Sequence, residues 1–202
     1  MLIVSTVLVA LVVFIVVGLG SYVIALYNSL VQVRVDVATA WSNVDVLLKQ
    51  RHDELGKLLD TVKSYMGYEQ GLLSRITALR ASTGSGEPSV MRMQAESQLS
   101  AGIGKLFAVA ENYPQLRASE SFTKLQNAIV DIEQQIARRR EFYNAEVNIN
   151  NARSAQFPDS LVAPMAGVRV RDLFNAAPED RADVAVAAVL NGQPPAAAAP
   201  AG

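Results

Sequence analysis

The sequence predicts an all-α protein: an N-terminal transmembrane helix followed by an elongated antiparallel bundle of long helices. Three observations carry this expectation. Residues 1–33 contain no Asp, Glu, Lys, Arg or His, apolar residues from Val37 onward recur at helical spacing, and no segment carries a strand signal.

The first element is the run Leu2 to Leu26, LIVSTVLVALVVFIVVGLGSYVIAL. At 1.5 Å per residue such a helix rises about 37 Å, enough to cross a bilayer. A cleaved secretory signal would need a basic n-region and a shorter apolar core, of roughly 7 to 15 residues. Tyr22 and Tyr27 place amphipathic rings near the C-terminal end of the run, so the helix is expected to leave the bilayer around Tyr27 and Asn28. Basic residues follow the span at Arg34 and Lys49 and none stands on its N-terminal side, which favours a cytoplasmic body.

Alternating steps of four and three from Val37 reach Trp41, Val44, Leu48, Arg51, Leu55, Leu58, Val62, Tyr65, Glu69, Leu72, Ile76 and Leu79, apolar in all but Arg51 and Glu69. A mean spacing of 3.5 is that of a long helix with a packing seam. The spacing predicts one continuous helix from Asn28 to Ala81, ended by the turn-forming STGSGEP of residues 82–88. A second helix is expected from Ser89 to Asn112, because Pro114 disfavours helical geometry in Tyr113. A third opens at Ser119, a good N-cap, carries Phe122, Leu125, Ile129, Ile132, Ile136, Tyr143 and Val147 on one stripe, and ends before Pro158. Beyond it, short helices are expected over Val170–Ala176 and Glu179–Leu190, then a disordered Pro/Ala/Gly tail. The resulting division is 1–27 as membrane anchor, 28–163 as helical bundle and 164–202 as short helices and tail.

Composition narrows the chemistry. With 18 basic against 19 acidic side chains the net charge is −1, so no overall field draws the chain to nucleic acid. Zero cysteines exclude thiolate nucleophiles and cysteine-ligated metals, and a single histidine, His52, leaves no second imidazole for a metal site. His52 is expected to be an exposed or snorkelling side chain of the first helix. Arg138, Arg139 and Arg140 are expected to form helix-surface ion pairs with Glu133, Glu141 and Glu146. Asn144, Asn148 and Asn151 put three amides on one helical face, which suits a polar bundle interior, a partner-helix contact or a solvated face. No catalytic, cofactor or metal site is expected. The residues singled out are seam or interaction positions: Trp41, Val44, Leu48, Arg51, Leu55, Leu58, Val62, Tyr65, Tyr113, Phe122 and Tyr143.

Several ordered motifs resemble the LemA family of bacterial membrane proteins. They are Tyr27-Asn28-x-Leu30-Val31-x-x-Arg34, Ala40-Trp41-x-x-x-Asp45-Val46-x-Leu48-x-x-Arg51, Val62-x-x-Tyr65, Ala110-Glu111-x-Tyr113-Pro114-x-Leu116, Phe122-x-x-Leu125, Ile136-Ala137-x-Arg139-Arg140-x-x-Tyr143-Asn144 and Phe157-Pro158. They cover roughly Tyr27 to Ala163. After Arg51 the chain departs from the proline-containing stretch usual in that family, reading His52-Asp53-Glu54-Leu55-Gly56-Lys57. The resemblance implies a single-pass inner-membrane protein with a helical body and no established enzymatic activity. It also implies a neighbourhood of membrane peptidase or stress systems and of membrane-organelle assembly.

Two functions follow from these readings. The first is a membrane-anchored scaffold or adaptor that self-associates or binds a helical membrane or envelope partner. The second is an accessory subunit or enzyme of envelope metabolism. A concave pocket gathering polar groups would favour the second, and a bundle with filled apolar positions the first. Self-association is expected because a first helix of about 80 Å outruns the second at about 36 Å and the third at about 60 Å, leaving seam uncovered. A hinge at Gly67 that folds the first helix back is the competing geometry.

Overall fold

The computed structural model describes residues 2–83 and 86–174 of the chain. Its first helix, α1 (Leu2–Lys63), is 62 residues long and runs without a break from the apolar run into the body. The N-terminal part is exposed and has the length and hydropathy to cross a membrane. After a turn come α2 (Gln70–Ser82), α3 (Val90–Ala110), the single turn α4 (Pro114–Arg117), α5 (Glu120–Ala155) and the single turn α6 (Asp159–Val162). The described residues contain no strand. Beyond Tyr27, α1, α2, α3 and α5 form an up-down-up-down bundle in which α1 packs chiefly on α5 and α2 on α3.

The expected continuous helix Asn28–Ala81 is not what forms. Helix α1 stops at Lys63, and Ser64–Glu69 turns the chain back, with Met66 fully buried and Gly67 exposed in the turn. The heptad pattern passes through the break because the reversed α2 offers the same apolar spacing to α3 that a straight helix would have offered to solvent. Leu73 and Ile76 thereby join Leu55, Leu58, Val62, Leu99, Ile103 and Leu106 in one core. The part of α1 beyond Tyr27 then matches the 36 residues of α5, so the helix lengths agree and the uncovered seam disappears.

Three apolar clusters succeed one another along the bundle. The distal one, farthest from Leu26, fills the space among all the long helices. The middle one gathers Val37, Trp41, Val44, Leu48, Ile136, Tyr143, Val147 and Phe174. The last joins Leu30 to Val162, Ala163, Ala166 and Val168, with Leu26 and Val31 at its edge. Ser119 caps α5 as expected, accepting from the Phe122 amide at 3.4 Å, and Ser89 caps α3, accepting from the Arg92 amide at 3.2 Å. The expected helix Val170–Ala176 is absent over its described part, since Val168–Phe174 runs in a non-helical course along α5. Residues 175–202, with the expected Glu179–Leu190 helix and the tail, lie outside the described residues.

Candidate functional site

Among the described residues, two polar features on one flank of the bundle are built on Arg51 and its neighbours. The Arg51 side chain is fully buried on α1. Its guanidinium donates to Glu96 of α3, to Glu133 Oε1 of α5 at 2.7 Å and to Ser100 Oγ of α3 at 2.6 Å. Ser100 Oγ in turn donates a hydrogen bond to Glu133 Oε2 at 3.0 Å. Three helices are therefore pinned at one level by charge-assisted bonds whose geometry fits only one register. Burial pushes the Glu96 carboxyl above its ordinary range, and Arg51, then Arg92 and Arg140, pull it back.

Beside this network a cleft of about 220 Å³ opens between α1 and α3, lined by Asp45, Leu48, Lys49, His52, Asp53, Thr83, Arg92 and Glu96. Arg92 pairs with Asp45, donates to the Gly86 carbonyl and lies 5.1 Å from the centre of the Trp41 ring, which itself donates to Gly86 O at 3.1 Å. His52 is a partly buried wall of the cleft, rather than the exposed or snorkelling side chain expected. Burial lowers its pKa, and so do the charges of Arg80 and Arg51, against the opposing pull of Asp53, which favours the uncharged imidazole. Among the described residues no group of three His, Cys, Asp or Glu could hold a metal ion.

On the other flank, the segment Val168–Phe174 is strapped to α5 by side-chain amides. Asn144 Nδ2 donates to the Phe174 carbonyl at 2.9 Å while its Oδ1 accepts from the Phe174 amide at 2.7 Å. Asn151 does the same for Arg171, at 2.8 and 2.9 Å. Seven residues of helix advance about 10.5 Å and three extended residues about 10 Å, so the two asparagines meet every third residue of an antiparallel strap. Asn150 adds a bond to Arg169 O at 2.7 Å, and Tyr143 Oη donates to Asp172 O at 3.4 Å. Phe174 then closes over Trp41, ring centres 6.3 Å apart, with Arg140 4.1 Å above its own ring.

Of the residues singled out from sequence, Trp41, Val44, Leu48, Arg51, Leu55, Leu58, Val62, Phe122 and Tyr143 are all buried. Tyr65 is not: it stands 40% exposed, because the chain turns there instead of continuing the seam. Tyr113 is half-buried, donating to Glu69 at 3.4 Å, and burial followed by the Glu69 charge raises its pKa. Trp41 and Tyr143 meet edge to face at 5.4 Å. Glu133 pairs with Arg51 instead of the expected 138–140 run, and Asn148 is exposed while Asn144 and Asn151 hold the strap. Glu96, Arg92, Asn150 and the strap were missed. Their partners lie far away in the chain, and only the polar character of seam position 51 hinted at buried counter-charges.

Magnetosome protein MamQ 2 of Paramagnetospirillum magneticum is 23% identical over 178 residues, covering 75% of this chain and 65% of that protein. Magnetosome protein MamQ of Magnetospirillum gryphiswaldense is 21% identical with the same coverage. Protein LemA of Metamycoplasma hominis is 25% identical over 165 residues, 81% of this chain and 75% of that protein. The chain thus spans slightly less than two thirds of the length of the MamQ relatives. The LemA family model matches residues 40–187, from the Ala40-Trp41 motif of α1 through the strap, and the chain belongs to the LemA family.

Proposed function

We propose that this chain is a membrane-anchored helical scaffold, held in the bacterial inner membrane by the apolar part of α1, that self-associates through the outer face of that same helix. The observation that carries this is the stripe Val35, Thr39, Ser42 and Val46, two valines flanking two small hydroxyl residues. All four are uncharged and exposed, Val35 by 46% and Val46 by 63%, and they point away from the buried seam of Val37, Val44 and Leu48. Spacings of four, three and four are those of a helix-pairing stripe. Because α1 is continuous with the proposed span, copies in one bilayer present this stripe in the same direction and at the same height. Confinement raises their effective concentration, and a two-fold axis then brings each residue against its own copy. Arg34 and Lys49, the first basic residues after the span, favour a cytoplasmic body. The names of the magnetosome relatives fit a role in organising membrane structures.

The chain has no cysteine, so Ser42→Cys gives a single reporter. Mild oxidation in membranes is expected to yield a disulfide-linked dimer from Ser42→Cys and none from Ser74→Cys, which is exposed on α2. Equal yields, or none at position 42, would count against the α1 interface. The cleft favours a second reading, an accessory subunit or enzyme of envelope metabolism, since it gathers an imidazole, two carboxylates and an Arg–Asp pair around one opening.

A further inference from the structure

The chain from Phe157 to Gly167 makes a compact corner after α5, and its two sides differ. Leu161 N bonds to Pro158 O, Ala163 N to Asp159 O and Met165 N to Val162 O, so successive turns around the short α6 fold the corner compactly, and its apolar side chains divide between buried and exposed. The inner side, Val162, Ala163 and Ala166, is buried against Leu30, with Leu26 packed at the edge of the same cluster. The outer side carries Phe157, Leu161 and Met165, spaced by four, exposed by 81, 69 and 76%. These are among the largest apolar exposures outside the apolar run itself.

Position decides what covers them. Leu26 ends the apolar run, and Leu30 stands one helical turn, about 6 Å, beyond it. An element packed on both therefore sits at the level where α1 leaves the hydrocarbon. Arg153 fixes that height, donating to Ser29 Oγ of α1 at 2.7 Å and pairing with Asp159 of the corner. An apolar face held at that level, continuous with a span, has the character of an interfacial element that beds some 5–10 Å into the headgroup and acyl boundary.

We propose that the corner Phe157–Gly167 is a second membrane contact, laying Phe157, Leu161 and Met165 into the bilayer that α1 crosses. This rests on the reading of residues 2–26 as a span. The partner is the lipid surface itself, and the body is thereby held at two points and cannot swivel about α1.

The test uses the full-length chain in phosphatidylcholine/phosphatidylglycerol vesicles, with an environment-sensitive fluorophore on a single cysteine at Leu161→Cys, Met165→Cys, Tyr27→Cys or Tyr68→Cys. Tyr27 reports the exit of the span, and Tyr68, 98% exposed at the α1–α2 turn, reports water. Labels at 161 and 165 are expected to be blue-shifted and quenched by nitroxide-bearing lipid to the degree seen at 27, with 68 unaffected. Labels at 161 and 165 that behave like 68 while 27 is quenched would overturn the second contact and leave the anchor standing. A blue shift without lipid quenching would overturn it in favour of a protein partner. Failure of quenching at 27 would refute the span, and the second contact with it.

Discussion

Arg51→Ala lowers the free energy of unfolding by about 3–5 kcal/mol, because it strands a buried carboxylate without its counter-charge. The wild-type guanidinium is fully buried and serves Glu96, Glu133 and Ser100 together, so alanine also leaves a hole where three helices meet. The effect has a pH signature. Burial already holds the Glu96 carboxyl above its ordinary value, and Arg51 is the foremost group drawing it down, so removing Arg51 raises it further. A carboxyl whose folded pKa is raised contributes stability that is present below its unfolded pKa and lost as pH rises through the folded value. Denaturant titrations should therefore show the deficit of Arg51→Ala narrowing as pH falls through the raised Glu96 value towards the ordinary carboxylate range. The double replacement Arg51→Met with Glu96→Leu should cost less than Arg51→Ala alone, since the most buried carboxylate is then removed and Glu133, one quarter exposed, keeps its bond from Ser100. A deficit that is constant with pH would mean that Glu96 is not the group stranded.

Leu55→Asp should be the other severe substitution. Leu55 is wholly buried in the distal core with Leu58, Leu59, Leu99 and Ile103, and the buried cation one turn back, Arg51, is already engaged by Glu96 and Glu133. Burying an unpaired charge and removing the packed isobutyl group together cost several kcal/mol. Two residues earlier Asp53 is exposed on the cleft rim, and Asp53→Ala should change stability by less than about 0.5 kcal/mol. Thermal unfolding of the two variants checks both, and similar melting temperatures would mean that the buried face of α1 is wrongly placed.

Periodicity made the first seam legible as far as Val62, because each seam residue there meets α5 or the α2–α3 hairpin at the spacing a helix imposes. It could not show the turn at Ser64–Glu69. Helical spacing is the same whether a helix continues or reverses, and Gly67 weakened the helix without dictating where it ends. Arg51 stood out as a polar residue in an apolar stripe, but Glu96 and Glu133 lie 45 and 82 residues away on helices whose rotation no local pattern specifies. The face of Asn144 and Asn151 was visible for the same reason that the seam was. Its occupant was not, since a strap held through its backbone carries no side-chain pattern of its own. Expecting Val170–Ala176 to be helical missed that tertiary amide bonds outweigh a weak local preference.

The turn at Gly67 removes the mismatch of helix lengths as a reason for self-association, leaving the outer stripe of α1 as its physical basis. The most direct test is the mass of the intact particle after detergent solubilisation of the full-length chain at micromolar concentration, by light scattering corrected for bound detergent. A self-associating scaffold predicts a discrete multiple of the 21.7 kDa chain that collapses on Val46→Asp. A monodisperse particle of one chain, unchanged by that substitution, would contradict it.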